Sequence, residues 1–421
     1  MLNYSQFLLD LKKLISFKTV YCPNQDGMPF GSECDKALNF FLGVAKDMGF
    51  STVNYDGYAG EVSFGCGEEI GIIGHLDVVP CGNGWNTPPF ELTVKDGKLF
   101  GRGVVDDKLP TLLCLYALSD LKNQGVKFNR KIRLFVGLNE ETGWRDLEYL
   151  KTKTDMPKFG FSPDGDFPLS YAEKGIYYLV FKLPMLKHFN ALSGGNAINA
   201  VCDFASVKPC KIIDEKLLNK YNLSYNDGFI ESYGVSAHGS SPRKGKNALA
   251  PIFKLMRDLG EDLKDFPENA FDDALGIFNI KNEQGSVTLS PNLIKYENGD
   301  CYLYCDMRVP APICVDDLRP LLDKFGLPYS LTEKHPPVMV KKDGWFVNAL
   351  KSAYEKHFDD NSSPIAMGGS TFARAFDYGC AFGMFKDGVC GGCHESNEYV
   401  SEEFLLKAYN VYLDAIYNLI K

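Results

Sequence analysis

Two histidines and a set of acids, scattered along 421 residues, have the types expected of a two-metal hydrolytic centre. They stand in Gly74-His75-Leu76-Asp77, Gly103-Val104-Val105-Asp106-Asp107-Lys108, Asn139-Glu140-Glu141-Thr142-Gly143, Ser162-Pro163-Asp164 and Cys393-His394-Glu395-Ser396-Asn397-Glu398. Two imidazoles and three carboxylates can hold a pair of divalent cations and leave one glutamate beside them as a base. Cations about 3.5–4 Å apart clamp and activate a water against an unreactive bond.

Each segment also has a plainer account. His75 and Asp77, two apart, share a side of an extended segment, so Asp77 can fix the imidazole tautomer; a buried structural His–Asp pair has the same spacing. Asp106-Asp107 precedes a helix, where Asp serves as an N-cap; one of the pair can cap while the other bridges metals. Glu140 and Glu141 repel one another, and a strand would send them to opposite sides. A cation neutralises one and leaves the other as general base; two solvated loop carboxylates are the alternative.

Cys390-Gly-Gly-Cys393-His394 spells the haem-attachment pattern C-x-x-C-H. No export signal is visible and there is no second C-x-x-C, so haem and a zinc half-site are set aside. His394 is read as a metal ligand on a glycine-rich loop, with the thiols incidental. His238, in Ser236-Ala237-His238-Gly239-Ser240-Ser241-Pro242, sits between small residues that permit close approach to a substrate; a surface-loop His reads the same way. His188, His335 and His357 have no acidic or His neighbour at useful spacing and are taken as structural or surface residues.

The elements that must position these residues follow from periodicity. Phe7, Leu8, Leu11, Leu14 and Ile15 recur at helical spacing, and residues 38–49 suggest a second helix. Ile70–Gly74, Ile132–Leu138 and Phe159–Phe161 read as strands, with a helix over 108–123 between the first two. Strands alternating with helices predict an α/β fold, a mixed sheet with helices on both faces. His75, Glu140, Glu141 and Asp164 each follow a strand, where ligands gather in such sheets. After about Lys174 the pattern changes to alternating strands, at 176–183, Phe229–Val235 and Cys301–Val309, with an amphipathic helix over Asn247–Leu263. The α/β pattern resumes near Lys341, with helices near 345–357 and 402–420 and a strand at Ala381–Phe385. The expected architecture is a discontinuous catalytic domain, 1–174 and 338–421, with an α+β lid domain over 175–337.

The net charge of -9 argues against a nucleic-acid partner, which requires a basic face. No run approaches the roughly 18 apolar residues of a membrane span. The odd count of 13 Cys, without a regular framework, points to free thiols in a reducing, cytoplasmic compartment.

Taken together, Gly74-His75-Leu76-Asp77-Val78-Val79-Pro80, Gly101-Arg-Gly-Val-Val-Asp106-Asp107-Lys108, Asn139-Glu140-Glu141-Thr142-Gly143 and the His394 loop resemble the aminoacylase/carboxypeptidase G family of co-catalytic zinc metallopeptidases. Phe161-Ser-Pro-Asp164-Gly-Asp166-Phe167-Pro168, Ala172-Glu173-Lys174-Gly175, Met367-Gly-Gly-Ser-Thr371-Phe-Ala-Arg374 and His394-Glu-Ser-Asn397-Glu398 resemble the bacterial dipeptidase V and Xaa-His dipeptidase branch. The resemblance runs nearly end to end.

The resemblance implies that His75 and Asp164 hold one metal, Glu141 and His394 the other, and that Asp106 bridges them, with a cis Asp106-Asp107 peptide. It implies Glu140 as general base, Asp77 as the orienter of His75 and His238 as an oxyanion donor in the lid. Asn199 and Arg308 match substrate contacts of the lid; Gly369, Ser370 and Thr371 match a segment near the substrate carboxylate. The implied cofactors are two divalent ions, zinc first, with manganese or cobalt accepted; the expected partner is a short peptide substrate, and the protein is expected to be a monomer or homodimer. Asp at position 164 goes with peptidases in that family, which places a dipeptidase ahead of an N-acyl amino acid or succinyl-diaminopimelate deacylase. Two features depart from the pattern. The chain is shorter in the lid around 190–230, and Gly195-Asn196-Ala197-Ile198-Asn199 lacks the usual basic residue before the Asn.

Overall fold

A computed structural model describes residues 2–24, 27–360, 362–386 and 388–421. The chain divides into two compact units, Met1–Tyr171 with Met339–Ile365 and Thr371–Lys421, and Ala172–Val338 with Ala366–Ser370.

In the first unit, the strands Ser51–Tyr55, Ala59–Phe64, Lys131–Gly137, Glu69–His75, Phe159–Ser162 and Tyr378–Ala381 lie side by side in that order. The first two pairings are antiparallel and the next three parallel. The parallel strands are nearly continuous apolar runs because both faces are covered. Ile72 and Phe161 lie opposite one another, and Phe161 stacks on Tyr412 of the helix Glu402–Ile420 at 6.3 Å between ring centroids. Ile73 lies opposite Phe135. These two pack with Leu147 and Leu150 of the helix Arg145–Lys153 and with Phe372 and Phe376, covering the other face. The first unit is therefore a mixed α/β sheet with helices on both faces.

The helices Lys108–Asn123, Trp345–His357 and Glu402–Ile420 match their sequence periodicity. The helix read at 38–49 begins earlier, at Ser32. Its first turn carries Glu33 and Asp35, which suit a helix N-terminus but hide the apolar period. The strand expected at Ala381–Phe385 instead occupies Tyr378–Ala381.

The second unit holds two antiparallel four-stranded sheets. One orders Thr288–Glu297, Asp300–Val309, Gly175–Lys182 and Tyr329–His335. The other orders Phe189–Gly194, Phe204–Pro209, Phe229–Tyr233 and Ser224–Asn226. Leu249, Ile252, Phe253 and Met256 of the helix Leu249–Asp258 pack into its core. That helix is shorter than its amphipathic pattern suggested. The Asn247 side chain accepts the Leu249 N–H at its start, and Gly260, at φ 93°, closes its end. Among the described residues, no helix is long and apolar enough to cross a membrane.

Candidate metal centre

Three of the four adjacent parallel strands, Lys131–Gly137, Glu69–His75 and Phe159–Ser162, bring candidate residues to one edge of the sheet, with His75 opposite Gly137. His75 is the last residue of its strand. Glu140 and Glu141 follow Gly137 in a turn, and Asp164 follows Ser162. The glycines at this edge make room for the side chains. A Cβ on Gly74 would come within 1.9 Å of Thr111 Oγ1 and 2.5 Å of Asp107 Oδ2, and one on Gly137 within 2.4 Å of Asp146 Oδ2.

A second, smaller sheet brings in the other two segments. Phe100 pairs with Tyr399 and Leu99 with Val400, while Val400 also pairs with Cys390. The loop after Phe100 carries Asp106, and the loop before Tyr399 carries His394. Their nearness is a consequence of strand register.

Asp106 is the shared element of the cluster. Its Oδ1 lies 2.9 Å from His75 Nε2, and its Oδ2 lies 3.0 Å from His394 Nε2. His394 Nε2 is also 3.1 Å from Glu141 Oε2, and His75 Nε2 is 3.9 Å from Asp164 Oδ2. Donor atoms of His75, Glu140 and Asp164 all lie within 4.8 Å of one another. His75 is 1% exposed and forms the floor, whereas His394 is 53% exposed and forms the rim.

The surrounding groups orient these donors. His75 Nδ1 is 3.1 Å from the Asp77 carbonyl oxygen, which only accepts. In the neutral ring Nδ1 therefore carries the proton, which leaves the Nε2 lone pair toward the acids. The Asp77 carboxylate lies 3.4 Å from the same nitrogen, but its oxygens are occupied by the backbone N–H groups of Glu140 and Glu141, each donating at 3.1 Å. Asp77 thus ties the glutamate turn to the His75 strand. Asp107 stands at the N-cap of its helix without capping it; its Oδ2 accepts from the His75 N–H and the Thr111 hydroxyl. The Asp106-Asp107 peptide is cis.

Glu398, which entered the sequence reading only as the last residue of the His394 motif, is fully buried. It accepts from the N–H groups of Gly103, Val105 and Asp106 and from the Arg102 guanidinium at 2.7 Å. It clamps the Asp106 loop to the His394 loop. A buried acid facing a row of backbone N–H groups leaves no periodic trace in a sequence; its one signal is its place four residues after His394. Removing one partner of a buried ion pair typically costs about 3–5 kcal/mol. Glu398→Ala is expected to lower unfolding stability by about that amount in denaturant titration, and a change within about 0.5 kcal/mol would show the clamp to be dispensable.

The electrostatics are those of an acid crowd with too little positive charge. Burial raises the carboxyls of Glu140, Glu141 and Asp164, and the neighbouring acids add to the effect against the pull of the histidines. Burial opposes charge on His75, yet Asp106 and Asp77 hold its pKa well above the ordinary value. Burial, followed by the Asp106 charge, pushes the Cys393 thiol upward. His75 Nε2 and Asp106 Oδ1 are buried and too poorly aligned to hydrogen-bond, despite their 2.9 Å separation. Ligands sharing a tetrahedral cation at about 2.0–2.2 Å stand roughly 3.3 Å apart. Orphaned donors at near-ligand separations among crowded acids fit divalent cations.

Of the remaining sequence candidates, most lie in the second unit, and Thr371 and His357 lie in the first. Gly239 N–H donates to the Asn199 carbonyl at 2.7 Å, and Ala200 bridges His238. A Cβ on Gly239 would meet Asp306 Oδ2, and one on Gly368 would meet Ser240. Arg308 donates through Nε and Nη2 to the two Asp306 oxygens at 2.6 and 2.8 Å, and through Nη1 to the Gly368 carbonyl at 3.0 Å. His238 Nδ1 accepts the Ser240 N–H at 3.2 Å, so its neutral ring carries the proton on Nε2. Ser370 Oγ is buried without a hydrogen-bond partner. Thr371 accepts the Ala373 N–H, capping the turn Phe372–Ala375. His357, which lacks an acidic neighbour in sequence, lies 2.5 Å from Asp414, 57 residues on.

The family profile of peptidase family M20/M25/M40 matches residues 71–418. The chain belongs to this family. It is 31% identical to a Staphylococcus aureus (strain MRSA252) protein provisionally named a dipeptidase, over 98% of this chain and 97% of the relative. Human carnosine dipeptidase 1 shares its fold, with a TM-score of 0.62 at 15% identity over 99% of this chain and 96% of that one. So does Bacillus subtilis YXEP, described as a dinuclear metal-binding M20 peptidase, with a TM-score of 0.53 at 10% identity over 99% of each chain. The protein is a peptide-bond hydrolase of peptidase family M20/M25/M40.

Proposed function

We propose that the protein is a metal-dependent dipeptidase acting on short peptides with a free carboxylate. The observation that carries this reading is Asp106, with one oxygen on His75 and the other on His394. His75 and Asp164 would hold one divalent ion, Glu141 and His394 the other, and Asp106 both; zinc suits this donor set, and manganese or cobalt is accepted. Such ions supply the Lewis acidity that activates a water at neutral pH.

The chain's own groups do the rest. Asp77 fixes the His75 tautomer and the glutamate turn. Glu140 takes the proton of the attacking water and delivers it to the leaving amine. The Nε2–H of His238 is the donor for the developing oxyanion. Asn199, Gly369, Ser370 and Thr371 contact substrate. Asp306 and Gly368 account for three of the five N–H donors of Arg308, and the other two serve a substrate carboxylate. The cysteines, all outside disulfides, agree with a reducing, cytoplasmic setting.

The test is metal analysis combined with a panel of dipeptides, C-terminally amidated dipeptides and N-acyl amino acids. Dipeptides should be cut best. Faster turnover of acyl amino acids would replace this reading with a deacylase.

Two residue predictions arise from the second unit. Arg308→Lys loses the planar fork, and KM for free-carboxylate dipeptides should rise roughly 10–100-fold, the scale of a charge-assisted hydrogen bond. Amidated peptides, already poor substrates, should respond much less; an equal rise for both would remove Arg308 from carboxylate recognition. His238→Ala should lower kcat by about 10²–10³-fold with folding intact, the scale of one oxyanion donor. Unchanged kcat would leave His238 without a catalytic role.

A further inference from the structure

The sequence reading set the thiols of Cys390-Gly-Gly-Cys393-His394 aside as incidental, but one of them lies in the cluster. Cys393 Sγ is 3.2 Å from Asp106 Oδ2. That oxygen is also 3.0 Å from His394 Nε2. Donor atoms of Asp106, Cys393 and His394 all lie within 4.8 Å of one another. Zn–S and Zn–N bonds of about 2.3 and 2.0–2.1 Å put the S and N of one tetrahedral ion roughly 3.5 Å apart, so the three donors can share a cation without rearranging the chain.

The backbone favours this placement. His394 has φ 60°, a left-handed conformation uncommon for a residue with a side chain. It follows directly on Cys393, and both side chains reach the same carboxylate oxygen. The Glu398 clamp fixes the loop from one side by holding the Asp106 backbone, and the Cys390–Val400 pairing fixes it from the other. Cys390 itself points elsewhere, with its Sγ on the Met384 and Lys386 carbonyls. The other oxygen of Asp106, Oδ1, is buried in the same cluster without a hydrogen bond, 2.9 Å from His75 Nε2.

We propose that Cys393 is a thiolate ligand of the ion on the His394 side of the centre, joining Asp106, Glu141 and His394. This rests on the two-metal reading and adds a donor to it. On binding, the thiol gives its proton to solvent and the sulfur lone pair forms the S–metal bond. A soft sulfur donor biases that position toward zinc or cobalt and away from manganese.

The experiment is cobalt reconstitution of the metal-free protein, read by absorption. Wild type and Cys390→Ser should show a sulfur-to-cobalt charge-transfer band in the near ultraviolet. Cys393→Ser should lose that band and keep its visible ligand-field bands. Identical spectra for wild type and Cys393→Ser, or loss of the band in Cys390→Ser alone, would overturn the assignment. X-ray absorption of zinc-loaded wild type needs no variant: a sulfur shell at about 2.3 Å is expected, and nitrogen and oxygen neighbours alone would refute the thiolate. Protein that binds two ions without a sulfur signature would disprove this inference and leave the dipeptidase reading standing. Protein that binds none would remove both.

Discussion

Glu140→Gln is expected to lower kcat by about 10²–10⁴-fold while both metals stay bound. The geometry defines what the substitution removes. Glu140 shares a space of 4.8 Å with donor atoms of His75 and Asp164, and its backbone N–H is anchored on Asp77. Burial raises its carboxyl well above the ordinary range, with His75 pulling it down and Asp164 pushing it up. Glutamine keeps the volume and the anchored backbone but cannot carry the proton. The measurement is steady-state kinetics beside elemental analysis of the same preparation. Near-normal kcat would dismiss Glu140 as the base. Loss of one metal with loss of turnover would make Glu140 a ligand and pass the base role to Glu141, whose Oε2 lies against His394.

What the sequence showed of this site follows the length scale of the interactions that build it. His75, Glu140, Glu141 and Asp164 were legible because each follows an apolar run, and parallel strands deliver their carboxyl ends to one edge. The meeting of Asp106 with His394 was not legible from pattern. It depends on strands of three residues, Lys98–Phe100 and Tyr399–Ser401, paired across some 300 positions. Asp107 read equally as a cap, and its position is that of a cap, but its carboxylate turns to His75 because Gly74 leaves the space. Arg308 and Asp306 could have been paired from sequence alone, since residues two apart on a strand face one way. The burial that makes Glu398 a clamp comes from tertiary structure.

Asp106→Ala should abolish binding of two metals, because one side chain faces both histidines. Its oxygens lie 2.9 and 3.0 Å from His75 and His394, so the truncation strips both positions at once, whereas loss of Glu141 or Asp164 would strip one. The remaining acids stay crowded, with less to hold the cations that offset them. Stability gives a readout independent of turnover. A ligand that binds only the folded state stabilises by about 2.7 kcal/mol per site at one hundred times its Kd. Saturating zinc should therefore raise the Tm of wild type by several degrees and leave Asp106→Ala nearly unmoved. Glu140→Gln supplies the contrast, since it should lose turnover yet keep the full zinc-induced rise. If zinc stabilises Asp106→Ala as much as wild type, the bridge is not the organising ligand and the two-ion arrangement built on it fails. If both variants lose the rise, Glu140 belongs with the ligands, and the division between base and bridge has to be redrawn.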